Sequence, residues 1–319
     1  MKILITGVAG FLGFNVASKL LKNIKYEIYG IDNFDDYYSV KLKKQRVKIL
    51  NKNKKFIFSK IDITTNKIFS YCKKKKFDIV FHFAAQAGVR YSLVNPAKYL
   101  NTNIHGFINL IESLNKSKLK KIIYASSSSV YGDTNKFPTN EKIKLNPKNI
   151  YGYSKVVNEH LSQYYFKHLK IPFIGLRFFT IYGTWGRPDM LILKLLKSNY
   201  QNKTFELNNG GNHYRDFTSI EDVNNISLKL IKKKITKNII LNISSNNPIY
   251  IKNLIDKIKI FKNNLKIKNI KKNKADVYKT HGDNKLLYKF LRHKINRKFD
   301  NDLYKMIEWF DSVKKYRFF

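Results

Sequence analysis

Apolar residues along this chain fall into two recurring patterns. Short continuous apolar runs predict strands: KILITG (2–7), YEIYGID (26–32), FIFSKIDI (56–63), FDIVFHFAA (77–85), KKIIYASS (120–127) and PFIGLRFF (172–179). Their continuity, in place of strict alternation, is what a parallel sheet buried on both faces requires. Between them, FLGFNVASKLLK and NTNIHGFINLIESLNKS repeat apolar residues at helical spacing. Strand and helix alternating over such lengths predict an α/β fold built on a doubly wound parallel sheet. After about Arg177 the pattern weakens. RPDMLILKLLKSN reads as a helix, NNGGNH as a turn and IILNIS (239–244) as a further strand, followed by helices mixed with Lys/Asn-rich loops. This predicts a smaller C-terminal domain with a segment returning to the sheet: 1–177 plus about 216–245 in one domain, about 178–215 and 246–319 in the other.

Composition narrows the class. The 319 residues are 43% hydrophobic, enough for a substantial core, and the single cysteine, Cys72, excludes an internal disulfide. The opening MKILITGVAG reads as strand and glycine turn, not as a secretion signal, and no apolar run approaches a membrane span. A soluble cytoplasmic protein without membrane association is expected. The net charge of +40 invites a nucleic-acid reading. Lysines are nevertheless scattered over the whole chain. The densest clusters, KKKK (73–76) and KNNLKIKNIKKNK (262–274), lack the interleaved aromatic platforms of single-strand binders. No nucleic-acid partner is expected, although the field suits a small polyanionic substrate. The seven histidines and the cysteine show no metal-ligand spacing, so no metal is expected, and His82 reads as a hydrogen-bonded core residue.

Two motifs carry chemistry. GVAGFLG places Gly7, Gly10 and Gly13 between a strand and a helix. Glycines there allow a tight turn and close backbone approach to a pyrophosphate, and the helix N-terminus supplies amide donors. Asp32 ends the second strand, where a carboxylate meets adenosine ribose hydroxyls and repels a 2′-phosphate, which favours NAD over NADP. YGYSK then places Tyr151 four residues before Lys155, on one face of a helix. A phenol is a poor base at neutral pH; a neighbouring cation favours the phenolate.

With these motifs in the sheet context, the chain resembles the extended short-chain dehydrogenases/reductases, and within them the UDP-glucuronate 4-epimerases. The narrower likeness rests on DNFDDYYSVKLKKQR (32–46), HFAAQAGVRYSLVNPAKYLNTNIHGF (82–107), YASSSSVYG (124–132), GLRFFTIYGTWGRPDM (175–190) and RDFTSIEDV (215–223); after Ile249 it runs mainly through ADVYKTHGD (275–283). The resemblance implies a Rossmann-like NAD domain, a nucleotide-sugar-binding domain, and a function in supplying surface-polysaccharide precursors. It implies that Gly7, Gly10 and Gly13 hold the pyrophosphate, Asp32 the adenosine ribose, Asp62 and Ile63 the adenine, and Lys155 the nicotinamide ribose, with Ala84 and Ala85 lining the cleft. Tyr151 would be the base and Ser127 its hydroxyl partner at the sugar 4-oxygen. Ser128, Ser129 and Thr180 would restrain the sugar carboxylate, and Arg187 and Arg215 would grip the diphosphate or uridine. The segment VVNEHLSQYYF (156–166) is first a packing surface; in this superfamily the same helix commonly forms a homodimer contact.

Alternatives within the superfamily are a neutral-sugar epimerase, a UDP-glucuronate decarboxylase and a 4,6-dehydratase. Dehydratases resemble one another in an Asp-Glu pair before the Val-Tyr-Gly turn, and decarboxylases typically have Glu; this chain has Ser128 and Ser129. Neutral-sugar epimerases typically have Asn where Thr180 stands. From a different class, a basic nucleic-acid binder on an inactive scaffold is disfavoured by the intact Ser127, Tyr151 and Lys155.

Overall fold

The computed structural model describes residues 1–273, 276–295, 297–316 and 318. Lys274 of the lysine-rich run and Ala275 of ADVYKTHGD lie outside the described residues. The six predicted strands form as β1 (Lys2–Thr6), β2 (Glu27–Asp32), β3 (Phe56–Lys60), β4 (Ile79–His82), β5 (Lys121–Ser127) and β6 (Phe173–Phe178). Five further strands precede or follow the last of the predicted ones, β10 (Ile239–Ile243): β7 (Thr180–Tyr182), β8 (Phe205–Asn208), β9 (Tyr214–Ser219), β11 (Pro248–Tyr250) and β12 (Ile267–Ile270).

The central sheet has seven strands in the order β10-β6-β5-β4-β1-β2-β3, all parallel. Ile3, Leu4 and Ile5 of β1 are fully buried, as a central strand covered on both faces must be. Ile3 and Ile5 belong to one core layer and Leu4 to the other. The strand order reverses between β1 and β4, and ligand crevices of such sheets open at that point. There Thr6 Oγ1 lies 2.8 Å from His82 Nδ1 and accepts the Ala84 N–H at 3.1 Å. His82 is therefore the hydrogen-bonded core residue expected from its strand; burial lowers its pKa to about 3.

A third core gathers Leu193, Leu195, Leu196, Leu254, Met306 and Phe310 around the smaller sheets, β11-β9-β7 and β12-β8. Only Phe179 separates β6 of the central sheet from β7 of the smaller one, and its N–H bonds to the Ile243 carbonyl at 3.1 Å. Leu287 and Leu291, near the C-terminus, pack into the first core and not the third. Among the described residues no helix is long and apolar enough to cross a membrane.

Candidate active site

The glycine turn follows directly from β1. Gly7 has φ +68°, and a Cβ there would lie 2.6 Å from the Ala84 amide nitrogen. A Cβ on Gly13 would lie 2.3 Å from the Gly7 carbonyl oxygen. These glycines leave a bare backbone cradle at the start of the helix Phe11–Leu20, the shape a dinucleotide pyrophosphate needs. Asp32 accepts the Ala9 N–H at 3.0 Å and the Phe34 N–H at 2.8 Å. Burial raises its pKa; those hydrogen bonds and the charges of Lys43 and Arg46 oppose the rise. Asp62 is also partly buried, but hydrogen bonds from Asn33 and Thr64 bring its carboxyl below the ordinary range. One cleft holds Gly7, Gly10, Gly13, Asp32, Asp62, Ile63, Ala84, Ala85 and Lys155, so every residue assigned to the dinucleotide from sequence faces a single space.

Ser127 ends β5, and its Oγ accepts the Ser129 N–H at 3.1 Å, which starts the short turn Ser128–Val130. The facing helix Ile150–Leu169 is capped by Asn149, whose side chain accepts the Gly152 N–H at 2.9 Å. Tyr151 sits in its first turn and Lys155 one turn later. A second cleft is lined by Ser127, Ser128, Ser129, Tyr151, Thr180, Arg187 and Arg215. The two clefts meet at Ser127, Tyr151, Phe178, Phe179, Arg187 and Met190. Tyr151 thus stands where the reacting end of a dinucleotide and a second ligand would touch.

The electrostatics differ from the simple Tyr–Lys picture. Burial raises the Tyr151 phenol; a hydrogen bond from Ser127 and the charge of Arg187 pull it down. The Lys155 ammonium lies 5.8 Å from the Tyr151 ring centre and donates to the Ala125 carbonyl at 2.8 Å. Burial lowers Lys155 to about 8, against the pull of Glu159. Arg187 is itself paired with Asp189, whose carboxylate also accepts the Tyr37 hydroxyl at 3.1 Å. That pairing outweighs burial and holds Arg187 above its ordinary pKa. Arg215 donates to the Tyr214 carbonyl at 2.7 Å, and burial lowers it to about 10.

A model of the NAD dependent epimerase/dehydratase family matches residues 3–244. The chain belongs to that family. It is 35% identical to UDP-glucuronate 4-epimerase 4 of Arabidopsis thaliana over 97% of this chain and 75% of the plant protein. It is 34% identical to the UDP-glucuronate 4-epimerase of Thermodesulfobacterium geofontis, covering 96% of this chain and 95% of that one. Among solved structures, the Bacillus cereus UDP-glucuronic acid 4-epimerase, crystallised with UDP-glucuronic acid and NAD, superposes with a TM-score of 0.91 at 29% identity, covering 98% of this chain and all of that one.

In this family member several site-supporting residues escaped the sequence reading. Glu159, one turn beyond Lys155, is buried; it accepts the Ser126 hydroxyl at 2.6 Å and the Arg177 guanidinium at 2.9 and 2.7 Å. Glu159 thereby locks the ends of β5 and β6 to the Tyr151 helix, β6 through the ion pair and β5 through Ser126. Asn103 lies in a wide π turn, Leu100–His105; its side chain accepts the Gln86 N–H at 2.7 Å and donates to Ser154 at 3.0 Å. A polar residue interrupting an apolar helix face was the available signal for Asn103. Glu159 had a signal too, a carboxylate at helical spacing from Lys155.

Proposed function

We propose that this protein is an NAD-dependent 4-epimerase of UDP-glucuronate, forming UDP-galacturonate through a 4-keto sugar. The observation that carries this reading is the hydroxyl-lined wall: Ser128, Ser129 and Thr180 share one cleft with Tyr151. NAD held in the first cleft would supply the hydride acceptor and donor for sugar C4. Tyr151 receives the 4-hydroxyl proton and gives it back, and Ser127 hydrogen-bonds the same oxygen. Lys155 binds the nicotinamide ribose, Asp32 the adenosine ribose, and the backbone at Gly7, Gly10 and Gly13 the pyrophosphate. Asp62 and Ile63 flank the adenine, and Ala84 and Ala85 line the cleft.

A 4-keto uronate is a β-keto acid. It loses CO₂ when its carboxylate stands perpendicular to the carbonyl. Ser128, Ser129 and Thr180 donate hydrogen bonds that keep the carboxylate out of that orientation. Arg187 and Arg215 hold the diphosphate or uridine end. The dispersed +40 charge draws in this small polyanion and not a nucleic acid. We assign 1–177 with about 216–245 to the cofactor domain and about 178–215 and 246–319 to the nucleotide-sugar domain, with Leu287 and Leu291 of the latter reaching into the first core. The helix Ile150–Leu169 exposes Tyr153 and Tyr164, which supports a homodimer through that helix; the proposed location is the cytoplasm. The product supplies surface-polysaccharide synthesis.

The test incubates purified protein with UDP-glucuronate and, separately, UDP-glucose, and follows each by proton NMR. UDP-galacturonate from the first supports the proposal. UDP-pentose, or turnover of UDP-glucose alone, sinks it.

A further inference from the structure

Arg46 stands between the glycine turn and the segment that leads to Arg187. The residue is fully buried, and its guanidinium makes four hydrogen bonds, none of them to a carboxylate. It donates to the Ala9 carbonyl of the glycine turn at 2.8 Å and to the Tyr38 hydroxyl at 3.0 Å. It also donates to the Trp185 carbonyl at 2.6 Å and the Gly186 carbonyl at 2.9 Å, immediately before Arg187. The Ala9 peptide, held through its carbonyl by Arg46, gives its N–H to Asp32 at 3.0 Å. A continuous bonded chain therefore runs from Asp32 through Ala9 and Arg46 to the backbone that carries Arg187. A parallel tie comes from Asn15 of the glycine-turn helix, which donates to the Thr184 carbonyl at 3.4 Å.

Burying a cation is costly unless its donors are all used or its charge answers another. An apolar side chain would fill the same space more cheaply. The planar guanidinium fork fixes two backbone segments and the Tyr38 hydroxyl at set angles, which a single ammonium cannot do. Arg46 lies behind the cleft wall, so an anionic dinucleotide on the glycine cradle reaches it through the Ala9 peptide it holds and through its charge, which already acts on Asp32. Such a ligand shifts the arrangement only through this kind of differential contact.

We infer that Arg46 is a positioning residue that ties occupancy of the dinucleotide cleft to the placement of Arg187, so that NAD raises affinity for the UDP-sugar. The inference rests on the proposed function. The test titrates UDP-glucuronate, and separately UDP, into NAD-stripped and NAD-loaded protein by calorimetry. In the wild type, loading tightens binding by about five-fold or more. In Arg46→Lys, which keeps the cation without the fork, and in Arg46→Met, that gain falls toward unity. The double variant Arg46→Met/Arg187→Met binds no more weakly than Arg187→Met alone. If Arg46→Lys keeps the full gain, or Arg46→Met weakens binding equally with and without Arg187, the inference is overturned. Should Arg46→Met not fold, Arg46→Lys decides. A wild type that binds UDP but not UDP-glucuronate refutes the sugar assignment instead, and the Arg46 comparison then runs on UDP.

Discussion

Replacing Arg177 with methionine keeps much of the side-chain volume and removes the charge. Four hydrogen bonds go with it: two to Glu159, one to the Tyr131 hydroxyl at 2.9 Å and one to the Glu141 carbonyl at 3.1 Å. The Glu159 carboxylate, 3% exposed, then keeps the bond from Ser126 but loses its counter-ion. Stranding one partner of a buried pair costs about 3–5 kcal/mol. Each kcal/mol lowers the melting midpoint by roughly 2 °C at the lower slope for large chains, so a drop of roughly 6–10 °C is expected. Circular dichroism melts of the NAD-loaded protein measure it. Glu159→Gln/Arg177→Met, with no charge left stranded, melts above the single variant. The account of the pair as a lock between β6 and the Tyr151 helix fails if Arg177→Met melts with the wild type, or if the double variant melts lowest.

Tyr151→Phe abolishes turnover while NAD affinity stays within a few-fold of wild type; near-normal turnover eliminates Tyr151 as the base. Gly13→Ala forces a Cβ to 2.3 Å from the Gly7 oxygen, so NAD titration should show binding at least about ten-fold weaker, and unchanged affinity would disprove the cradle. Alanine at Ser128, Ser129 and Thr180 together should release CO₂ and UDP-4-keto-pentose from UDP-glucuronate; slow epimerisation without CO₂ would refute the restraint. Lys155 is lowered from 10.5 to about 8, so between these pH values the unfolded chain binds more protons there and stability rises with pH. The burial penalty, about 3 kcal/mol, is fully present below pH 8 and relieved above 10.5. Urea unfolding of wild type and Lys155→Met at pH 7.5 and 10.5 should show the wild type gaining relative to the variant, and a constant difference would contradict the shift.

The central sheet was legible because β1, β4 and β5 are continuous apolar runs that only a doubly covered sheet explains. β7 and β11 were not, since each has three residues and their pairing is set by β9 from elsewhere in the chain. The same division holds in the site. Gly7, Gly10 and Gly13, and Tyr151 with Lys155, act through local spacing that a sequence displays. Arg46 acts through carbonyls 139 and 140 residues away, and Arg177 through a carboxylate on another element. Arg187 was visible as a cation for the diphosphate or uridine; its pairing with Asp189 and its pull on Tyr151 required the fold.

The single residue between β6 and β7 constrains how this active site can diversify. Thr180 pairs with Phe217 in the first register position of β7. One residue inserted after Phe179 would slip that register and turn every side chain of the strand to the opposite face. The wall of the second cleft, where we place the sugar, can therefore change by substitution at positions such as 128, 129 and 180, but not by lengthening this connection. On the proposed assignment, sugar selectivity is written in side chains on a backbone of fixed length.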